Sequence, residues 1–246
     1  QESLDEMGEI FARAHADGGN ILIPAFAVGR TQELLYLFMR HFDEWGLKHW
    51  RVCLDSPMAI RATEVYASHV GLHDEEAVAL WRGQGDGLGG RLEFIRTPQQ
   101  SRALNKVRSG LVIVAASGMC EGGRIRHHLK NQLWRPRCHV VIVGYQARGT
   151  TGRQLVDGNA YVSLWGEAIR VKAQIHTLGG FSAHADQQGL LEWYQAFRRQ
   201  PPVWLVHGED DARATLAQRL RESSGAEVRV PQLGDVLDLG RLSGRA

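Results

Sequence analysis

Two histidines occupy positions at which acid–base or metal chemistry could take place. His184 precedes a predicted helix, and His207 follows the apolar run Val203–Val206. A neutral imidazole can bind zinc, and a side chain that titrates near neutral pH can transfer protons. Asp186 follows His184 by two residues and is typical of a helix N-cap. Glu209 follows His207 by two residues and is typical of an acidic residue in the first turn of a helix. The alternative is that each of these residues, taken alone, is an ordinary polar residue without a role in chemistry.

Phosphate binding is the second chemistry that the residue types indicate. Four loops follow predicted strands and cover residues 25–31, 55–58, 116–124 and 144–153. Ligands of α/β proteins gather where parallel strands end, and glycines let backbone N–H groups approach an anion. Arg30, Arg124 and Arg153 can bind phosphate in a bidentate manner, and Ser117 and Gly118 add a hydroxyl and backbone N–H groups. Glycines also serve ordinary turns, so the prediction depends on the succession of four loops.

Basic side chains are concentrated in the same part of the chain. Residues 122–156 contain seven Lys or Arg and no Asp or Glu. Because the whole chain has a net charge of +2, this +7 segment leaves −5 for the remainder. Such a local excess suits a polyanion such as RNA. The alternative is that folding spreads these side chains over several solvated faces.

The hydrophobic pattern predicts an α/β fold, with a mostly parallel sheet flanked by helices. The predicted strands of the first part are residues 20–24, 51–55, 91–96, 111–115 and 138–143. The predicted helices between and before them begin near residues 3, 31, 57, 99 and 124. After Gly144 the pattern predicts strands at 160–165, 167–178 and 203–206, a helix at 187–199, another helix, and a strand pair at 227–230 and 236–239. We therefore expect one domain over 1–145, extendable to about 175, and a second over 146–246.

The composition excludes several classes of protein. The chain has 246 residues, 43% of them hydrophobic, which is enough for a buried core. It contains no apolar stretch of membrane-spanning length and no secretory signal, and it does not begin with Met, so we expect a segment of a longer protein. The three cysteines form no C-x-x-C pair. This predicts reduced, buried thiols and a cytoplasmic protein.

Familiar nucleotide-binding and hydrolase motifs are not matched. The glycines between Gly144 and Thr151 are spaced as in a P-loop, but Thr150 stands where the phosphate-binding lysine should be. No G-x-G-x-x-G follows a strand, and the segment Gly180–His184 lacks the last glycine of a nucleophile elbow. Kinase-like and dehydrogenase functions are therefore disfavoured.

Six short segments, in one order, resemble the β-CASP branch of the metallo-β-lactamase superfamily. That branch includes RNase J, bacterial and archaeal RNA-processing exonucleases, and the endonuclease of eukaryotic pre-mRNA 3′-end formation. The segments are Pro24–Glu33, Leu54–Met58, Ser117–Gly123, Gly144–Thr150, Phe181–Asp186 and Val206–Glu209. The resemblance spans nearly the whole chain and implies a β-CASP cassette followed by the C-terminal segment of a metallo-β-lactamase αββα domain.

The resemblance also implies roles for the two histidines. His184 matches the histidine of motif B, which is thought to help protonate the leaving group, and His207 matches motif C, a zinc ligand. Family members that act on RNA usually carry His in motif C, whereas DNA-repair relatives tend to carry Val, so RNA is the expected substrate. The family binds two zinc ions, which hold phosphate oxygens and lower the pKa of a bridging water.

One part of the family pattern is absent from this sequence. The family's H-x-H-x-D-H motif does not occur, and His127-His128 is followed by Leu-Lys and does not match it. We therefore expect a zinc-dependent ribonuclease of which this chain alone binds zinc poorly and is inactive. The alternative is a catalytically silent RNA-binding or scaffold subunit, whereas hydrolysis of a small ester or lactam fits the basic loops poorly. RNA rather than a membrane is the expected partner, and a homodimer and the endo- or exonuclease mode stay open.

Overall fold

The computed structural model describes residues 2–82, 88, 90–181 and 184–237. It divides the chain into two compact units, residues 1–182 and 183–246. Within the described ranges, no helix combines the length and the apolar character that crossing a bilayer requires.

Unit 1 alternates strands and helices along the chain. Its strands are β1 (Ile21–Pro24), β2 (Arg51–Leu54), β3 (Leu92–Phe94), β4 (Leu111–Ala115), β5 (His139–Ile142), β6 (Tyr161–Leu164), β7 (Glu167–Arg170) and β8 (Gln174–Thr177). Its helices are α1 (Glu2–Asp17), α2 (Arg30–Arg40), α3 (Pro57–Ser68), α4 (Glu75–Arg82), α5 (Pro98–Leu104), α6 (Ile125–Gln132) and α7 (Thr151–Val156). Short 3₁₀ helices occur at Leu47–His49, Val70–Leu72 and Gly179–Phe181.

Six strands form one parallel sheet in the order β3-β2-β4-β1-β5-β8. Ile21 and Ile23 of β1 pack with α1, α2 and α3 on one face, while Leu22 packs with α5, α6 and α7 on the other. Strands β1, β4 and β5 are buried along their whole length, as expected for a sheet covered on both faces. The predicted α/β fold with a flanked, mostly parallel sheet is thus confirmed.

The segment 167–178 differs from its prediction as one continuous strand. Strands β6 and β7 form an antiparallel hairpin whose turn residues, Trp165 and Gly166, have φ values of 52° and 79°. Two positive φ angles are what a tight hairpin of this twist needs. The chain then bends where the N–H groups of Lys172 and Ala173 both donate to the carbonyl of Leu133. After the bend, β8 joins the large sheet in parallel with β5.

Unit 2 has a small core between two helices and a two-stranded sheet. It contains α8 (Gln187–Gln195), β9 (Val203–Trp204), α9 (Asp210–Ser224) and β10 (Val228–Arg229), and β9 pairs with β10 in parallel. The predicted strand at 203–206 is therefore shorter than expected. The predicted strand at 236–239 is not formed at 236–237, and its last two residues lie outside the described residues.

The three cysteines are free and buried, as predicted. Burial raises the pKa of Cys53 and of Cys120 to about 12, so both thiols stay protonated at neutral pH. They act as small apolar core residues.

Asn20 joins three elements at the end of the sheet where the strands begin. Its fully buried amide donates to the carbonyl of Val107 (3.0 Å) and to Oε1 of Gln132 (2.9 Å), and its Oδ1 accepts from the N–H of Leu111 (3.1 Å). A polar side chain with no exposed surface is tolerated because each of these bonds satisfies a buried group. Asn20 thereby ties β1 to β4 and to the end of α6.

We predict that Asn20→Ala lowers the free energy of unfolding by about 2–4 kcal/mol, because it leaves several buried polar groups unsatisfied. Urea unfolding followed by circular dichroism measures the loss. Asn159→Ala, at an exposed position, serves as the control and should change stability by less than about 0.5 kcal/mol. Equal stability of the two variants would contradict the role assigned to Asn20.

Candidate functional site

The loops after β1, β2, β4 and β5 lie at one end of the sheet, which we call the carboxyl edge. These strands are neighbours in the order β2-β4-β1-β5. Helices α2 and α3, which follow β1 and β2, cover one face, whereas α6 and α7, which follow β4 and β5, cover the other. Adjacent loops therefore diverge to opposite faces. In α/β proteins, ligands bind in the crevice at which neighbouring loops diverge in this way.

Three of these loops are locked to one another by close backbone approaches. The side-chain amide of Gln146 donates to the carbonyl of Gly118 (3.0 Å), and the N–H of Gly152 donates to that of Met119 (3.1 Å). A Cβ on Gly118 would lie 2.9 Å from the ring of Phe26, and a Cβ on Gly152 would lie 1.7 Å from Oε1 of Gln146. A side chain at position 118 would therefore have to displace Phe26, and one at position 152 would have to displace Gln146.

The Ser117 hydroxyl shapes the loop after β4. Its Oγ accepts hydrogen bonds from the N–H groups of Glu121 and Gly122, both at 3.1 Å. The Glu121 carboxylate in turn accepts the N–H of Thr151 at 2.5 Å, and this bond holds the pKa of Glu121 below its ordinary value. The loop after β4 is thus tied to the start of α7 before any ligand binds.

A buried carboxylate connects the remaining loop to this framework. Asp55, at the end of β2, has no exposed surface. It accepts hydrogen bonds from Ser101 Oγ (2.6 Å) and from an Arg124 Nη (2.5 Å), and its other close neighbour is His128 Nε2 (2.7 Å). His128 Nδ1 lies 2.8 Å from Oδ1 of Asn105. Three elements, α5, α6 and the loop before α6, therefore converge on one carboxylate.

The partners of Asp55 keep it ionised. Burial raises the pKa of the carboxyl, but the hydrogen bonds from His128, Ser101 and Arg124 outweigh burial, and the pKa lies below its ordinary value. Sequence reasoning did not identify His128 as part of this network. The available signal was an acid at the end of a buried strand, which needs a nearby partner.

Each predicted phosphate-binding arginine at this edge is paired with a carboxylate. Arg30 pairs with Glu33 one helical turn away, and Nε of Arg153 lies 2.8 Å from Asp157. Arg124 pairs with the buried carboxylate described above and also donates to two backbone carbonyls of the segment after β3. A phosphate at this edge would therefore meet cations that are already partly neutralised.

Folding spreads the seven cations of residues 122–156 over more than one surface. Lys130 pairs with Glu167, and Arg126 lies against the β6–β7 hairpin. Arg135 and Arg137 follow α6 and precede β5. Because all six strands are parallel, these two arginines lie at the end of the sheet opposite the carboxyl edge.

Large apolar side chains are exposed at the carboxyl edge. Phe26, Val28, Met58 and Tyr145 are each at least half exposed. Exposed large apolar side chains, where they form a contiguous patch, are typical of a surface that binds a ligand or a protein segment.

The predicted residues of unit 2 lie at the starts of its two helices. His184 is exposed shortly before α8, and the Asp186 carboxylate caps this helix by accepting the N–H of Gly189 (2.8 Å). His207 follows β9 with a φ of 60°, which is uncommon for a residue other than glycine. Glu209 is the N-cap residue of α9, but its side chain makes no capping hydrogen bond.

The residues that the structure describes do not by themselves fit a zinc site. Within the described residues there is no group of three or more His, Cys, Asp or Glu that could hold a metal ion. His207 alone is one ligand, whereas zinc in proteins takes three or four.

We predict that Asp55→Asn lowers the free energy of unfolding at pH 7 by about 2–4 kcal/mol, since it breaks a buried ion pair whose Arg124 side chain is only 18% exposed. Because the pKa of Asp55 is depressed in the folded state, its stabilisation is present above the ordinary pKa of 3.8 and is lost as the pH falls below it. The variant should lose less stability than the parent between neutral and acidic pH. Chemical unfolding across this pH range measures both effects.

Asp157→Asn, which removes the exposed partner of Arg153, is the matched control and should cost less than about 1 kcal/mol. If Asp55→Asn and the control had the same stability and the same pH dependence, the Asp55 network would not be a structural centre.

Comparison with known proteins identifies two family models in the chain. A model of the Beta-Casp domain matches residues 31–155, and a model of the Zn-dependent metallo-hydrolase RNA specificity domain matches residues 168–231. The first covers half of the chain, and the second covers most of the described part of unit 2.

Several curated proteins are similar over almost the whole chain. Ribonuclease TTHA0252 of Thermus thermophilus is 39% identical over 96% of this chain and 53% of its own length. Transcription termination factor FttA of Thermococcus kodakarensis is 28% identical over 97% of this chain and 38% of its own length. An RNase J-like protein of Methanocaldococcus jannaschii is 27% identical over 91% of this chain and 51% of its own length. The chain thus spans about half or less of the length of these relatives.

The Beta-Casp model matches 125 of the 246 residues, which is just over half of the chain. The chain therefore belongs to the β-CASP family of metallo-β-lactamase-fold nucleases.

Proposed function

We propose that the chain forms the RNA-binding cassette and closing segment of a zinc-dependent ribonuclease that hydrolyses RNA phosphodiester bonds in RNA processing or decay. The observation that carries this proposal is the similarity to a ribonuclease over 96% of the chain, together with the match to an RNA specificity domain. The chain covers only 53% of that relative. The activity therefore belongs to the complete protein.

The crevice at the carboxyl edge is the proposed binding site of the RNA backbone. Arg30, Arg124 and Arg153 supply cationic N–H donors there, and the loop of Ser117 and Gly118 supplies backbone N–H groups. The loops are held in place by their own hydrogen bonds, so little conformational entropy is lost when RNA binds. The ion pairs of the three arginines tune their attraction for phosphate rather than abolish it, because a bidentate phosphate contact is a strong charge-assisted hydrogen bond.

The two histidines of unit 2 have separate proposed roles. His184 acts on the leaving group, and Asp186 fixes the backbone that follows it by capping α8. His207 is one zinc ligand, with Glu209 in a supporting position and with the other ligands outside this sequence. Zinc, when bound, would supply a Lewis acid for the phosphate.

A catalytically silent RNA-binding subunit is the second candidate function. It is favoured by the lack of a three-ligand metal cluster among the residues that the structure describes. The retention of both histidines favours the enzyme, since a silent subunit would not need either. The variants described below distinguish the two.

We predict that Arg153→Ala weakens RNA binding by about 1–3 kcal/mol, through the loss of a charge-assisted contact. It should also reduce the salt dependence of binding by about 0.7 units for a single strand. Arg153 is a cleaner probe than Arg124, because removing Arg124 also unpairs the buried Asp55. Titration of labelled RNA at several salt concentrations measures both quantities, with Arg199→Ala, an exposed arginine of unit 2, as the control.

Arg124→Lys completes this test, because it keeps a cation for Asp55 but loses the bidentate geometry. If neither variant changes the affinity or the salt slope, these arginines are structural and the carboxyl edge does not bind the RNA backbone.

We predict different effects for the two histidines in the complete protein. His207→Ala should lower both the zinc content and the activity, because an open coordination position weakens the site. His184→Ala should keep the metal and slow the chemical step roughly 10²–10⁴-fold, the usual contribution of general acid–base catalysis. Its effect should shrink on an activated aryl phosphodiester, whose leaving oxygen needs no proton.

Metal analysis and single-turnover rates of both variants on both substrates decide the roles. Loss of zinc in His184→Ala but not in His207→Ala would reverse the assignments. If both variants cleave RNA as the parent does, the two histidines are not catalytic. If the parent itself binds RNA but does not cleave it, the silent subunit is the correct function.

A further inference from the structure

A concave pocket of about 370 Å³ lies at the opposite end of the sheet, which we call the amino edge. Its walls come from the segments that precede β1, β4 and β5: Gly18, Arg108, Trp134, Arg135, Pro136, Arg137 and Cys138. At about 3.3 Å per residue, the four or five residues of each strand separate this pocket from the carboxyl edge by roughly 13–17 Å. The pocket is therefore distinct from the crevice described above.

The pocket is strongly basic. It contains three arginines, and the two segments that supply them, residues 105–110 and 133–138, hold no Asp or Glu. Among the described residues, no carboxylate lies within ion-pair distance of Arg108, Arg135 or Arg137. This contrasts with the paired arginines of the carboxyl edge. An anion in the pocket would meet cations that have no ion-pair partner among the described residues.

The pocket is also rigidly built. The guanidinium of Arg135 donates to the carbonyl groups of Val107 (3.2 Å) and Asn105 (3.0 Å), which joins the two basic segments. A Cβ on Gly19 would lie 1.5 Å from the carbonyl oxygen of Arg137, so the turn before β1 packs directly against this backbone. The side chain of Arg135 and the backbone that carries Arg137 are consequently held in a preformed surface.

An exposed aromatic ring completes the site. Trp134 is 53% exposed, although tryptophan is normally a core residue. The guanidinium of Arg135 lies over one face of its ring, 5.3 Å from the centroid, and fixes the ring by a cation–π contact. The exposed part of the ring remains available to a planar ligand. Aromatic rings beside unpaired arginines are how proteins hold nucleotides without sequence preference, by stacking the base and pairing the phosphate.

We propose that the amino-edge pocket binds a nucleotide unit of single-stranded RNA, with the base stacked on Trp134 and the phosphates contacted by Arg108 and Arg137. This inference rests on the proposed RNA-binding function but places a second contact on another surface. A strand bound there would extend the footprint beyond the crevice. The same ligand chemistry could come from a free mononucleotide. An anionic membrane fits less well, because a bilayer is flat whereas the basic and aromatic groups line a concavity.

The test measures the binding of a labelled single-stranded oligoribonucleotide to the whole chain by fluorescence anisotropy. We expect Trp134→Ala to weaken binding roughly 5-fold or more, the lower end of the contribution of one stacked base. Trp134→Tyr should restore most of the affinity, because it keeps a stacking ring. Arg108→Ala combined with Arg137→Ala should reduce the salt slope by about 1.4, which corresponds to two lost phosphate contacts.

The control variant combines Trp193→Ala with Arg199→Ala, which removes an exposed tryptophan and an exposed arginine from unit 2; Trp193 is 66% exposed, compared with 53% for Trp134. Thermal melts check that every variant is folded. An equal loss of affinity in the control, or no loss in Trp134→Ala and in the double arginine variant, would overturn the inference. Binding of phosphatidylserine vesicles that depends on Trp134, without any effect of Trp134 on RNA binding, would overturn it in favour of a membrane.

Photo-crosslinking with 4-thiouridine RNA separates this inference from the proposed function. Crosslinks to the peptide around Trp134 support the pocket. Crosslinks confined to the carboxyl-edge loops overturn the pocket and leave the proposed function standing, whereas crosslinks confined to the Trp134 peptide contradict the proposed crevice. Competition with AMP distinguishes a free mononucleotide from an RNA strand as the ligand. If AMP displaces the RNA at AMP concentrations well below about 1 mM, the ligand is a free mononucleotide. If AMP does not displace the RNA in that range, the ligand is a strand.

Discussion

The ionised carboxylate of Asp55, buried at the end of β2, is the constraint on which the carboxyl edge depends. An unpaired charge without solvent is so costly that the surrounding elements must supply compensating donors. The arrangement of α5, α6 and the loop before α6 follows from this requirement, because each provides one of the partners. The loop that carries Arg124 is therefore fixed from inside the protein and not by a ligand.

The same constraint separates two kinds of arginine. Arginines that balance internal or neighbouring carboxylates, such as Arg124 and Arg153, are partly neutralised by their partners. Arginines without a carboxylate partner among the described residues, such as Arg135, which contacts two backbone carbonyls and the Trp134 ring, keep a charge that no ion pair neutralises. The net charge of a sequence segment does not distinguish these cases. The partner of Arg124, Asp55, is 69 residues away in the chain. The partner of Arg153, Asp157, is only four residues away but lies just outside the basic segment.

Local sequence patterns are sufficient to predict the central strands of the sheet but not the contacts between distant segments. The strands β1, β2, β4 and β5 were predictable, because each is a short apolar run, and the parallel order then forces their loops to one edge. The bend at Lys172 was not predictable, because the alternation of apolar residues continues through it while the carbonyl of Leu133 redirects the chain. The Asp55–His128 pair was missed for a related reason: its geometry depends on long-range packing, whereas sequence spacing reports only neighbours.

The small sheet of unit 2 gives little structural support to the residues around His207. Its sheet has two strands of two residues, and two-stranded sheets are marginal in water without further packing. Val206, directly before His207, is 65% exposed although it ends an apolar run. A histidine in the left-handed region needs surroundings that hold it there, since that conformation costs free energy. His207 therefore has a backbone conformation that its short two-stranded sheet does little to support, and the role proposed for it is to be measured in the complete protein.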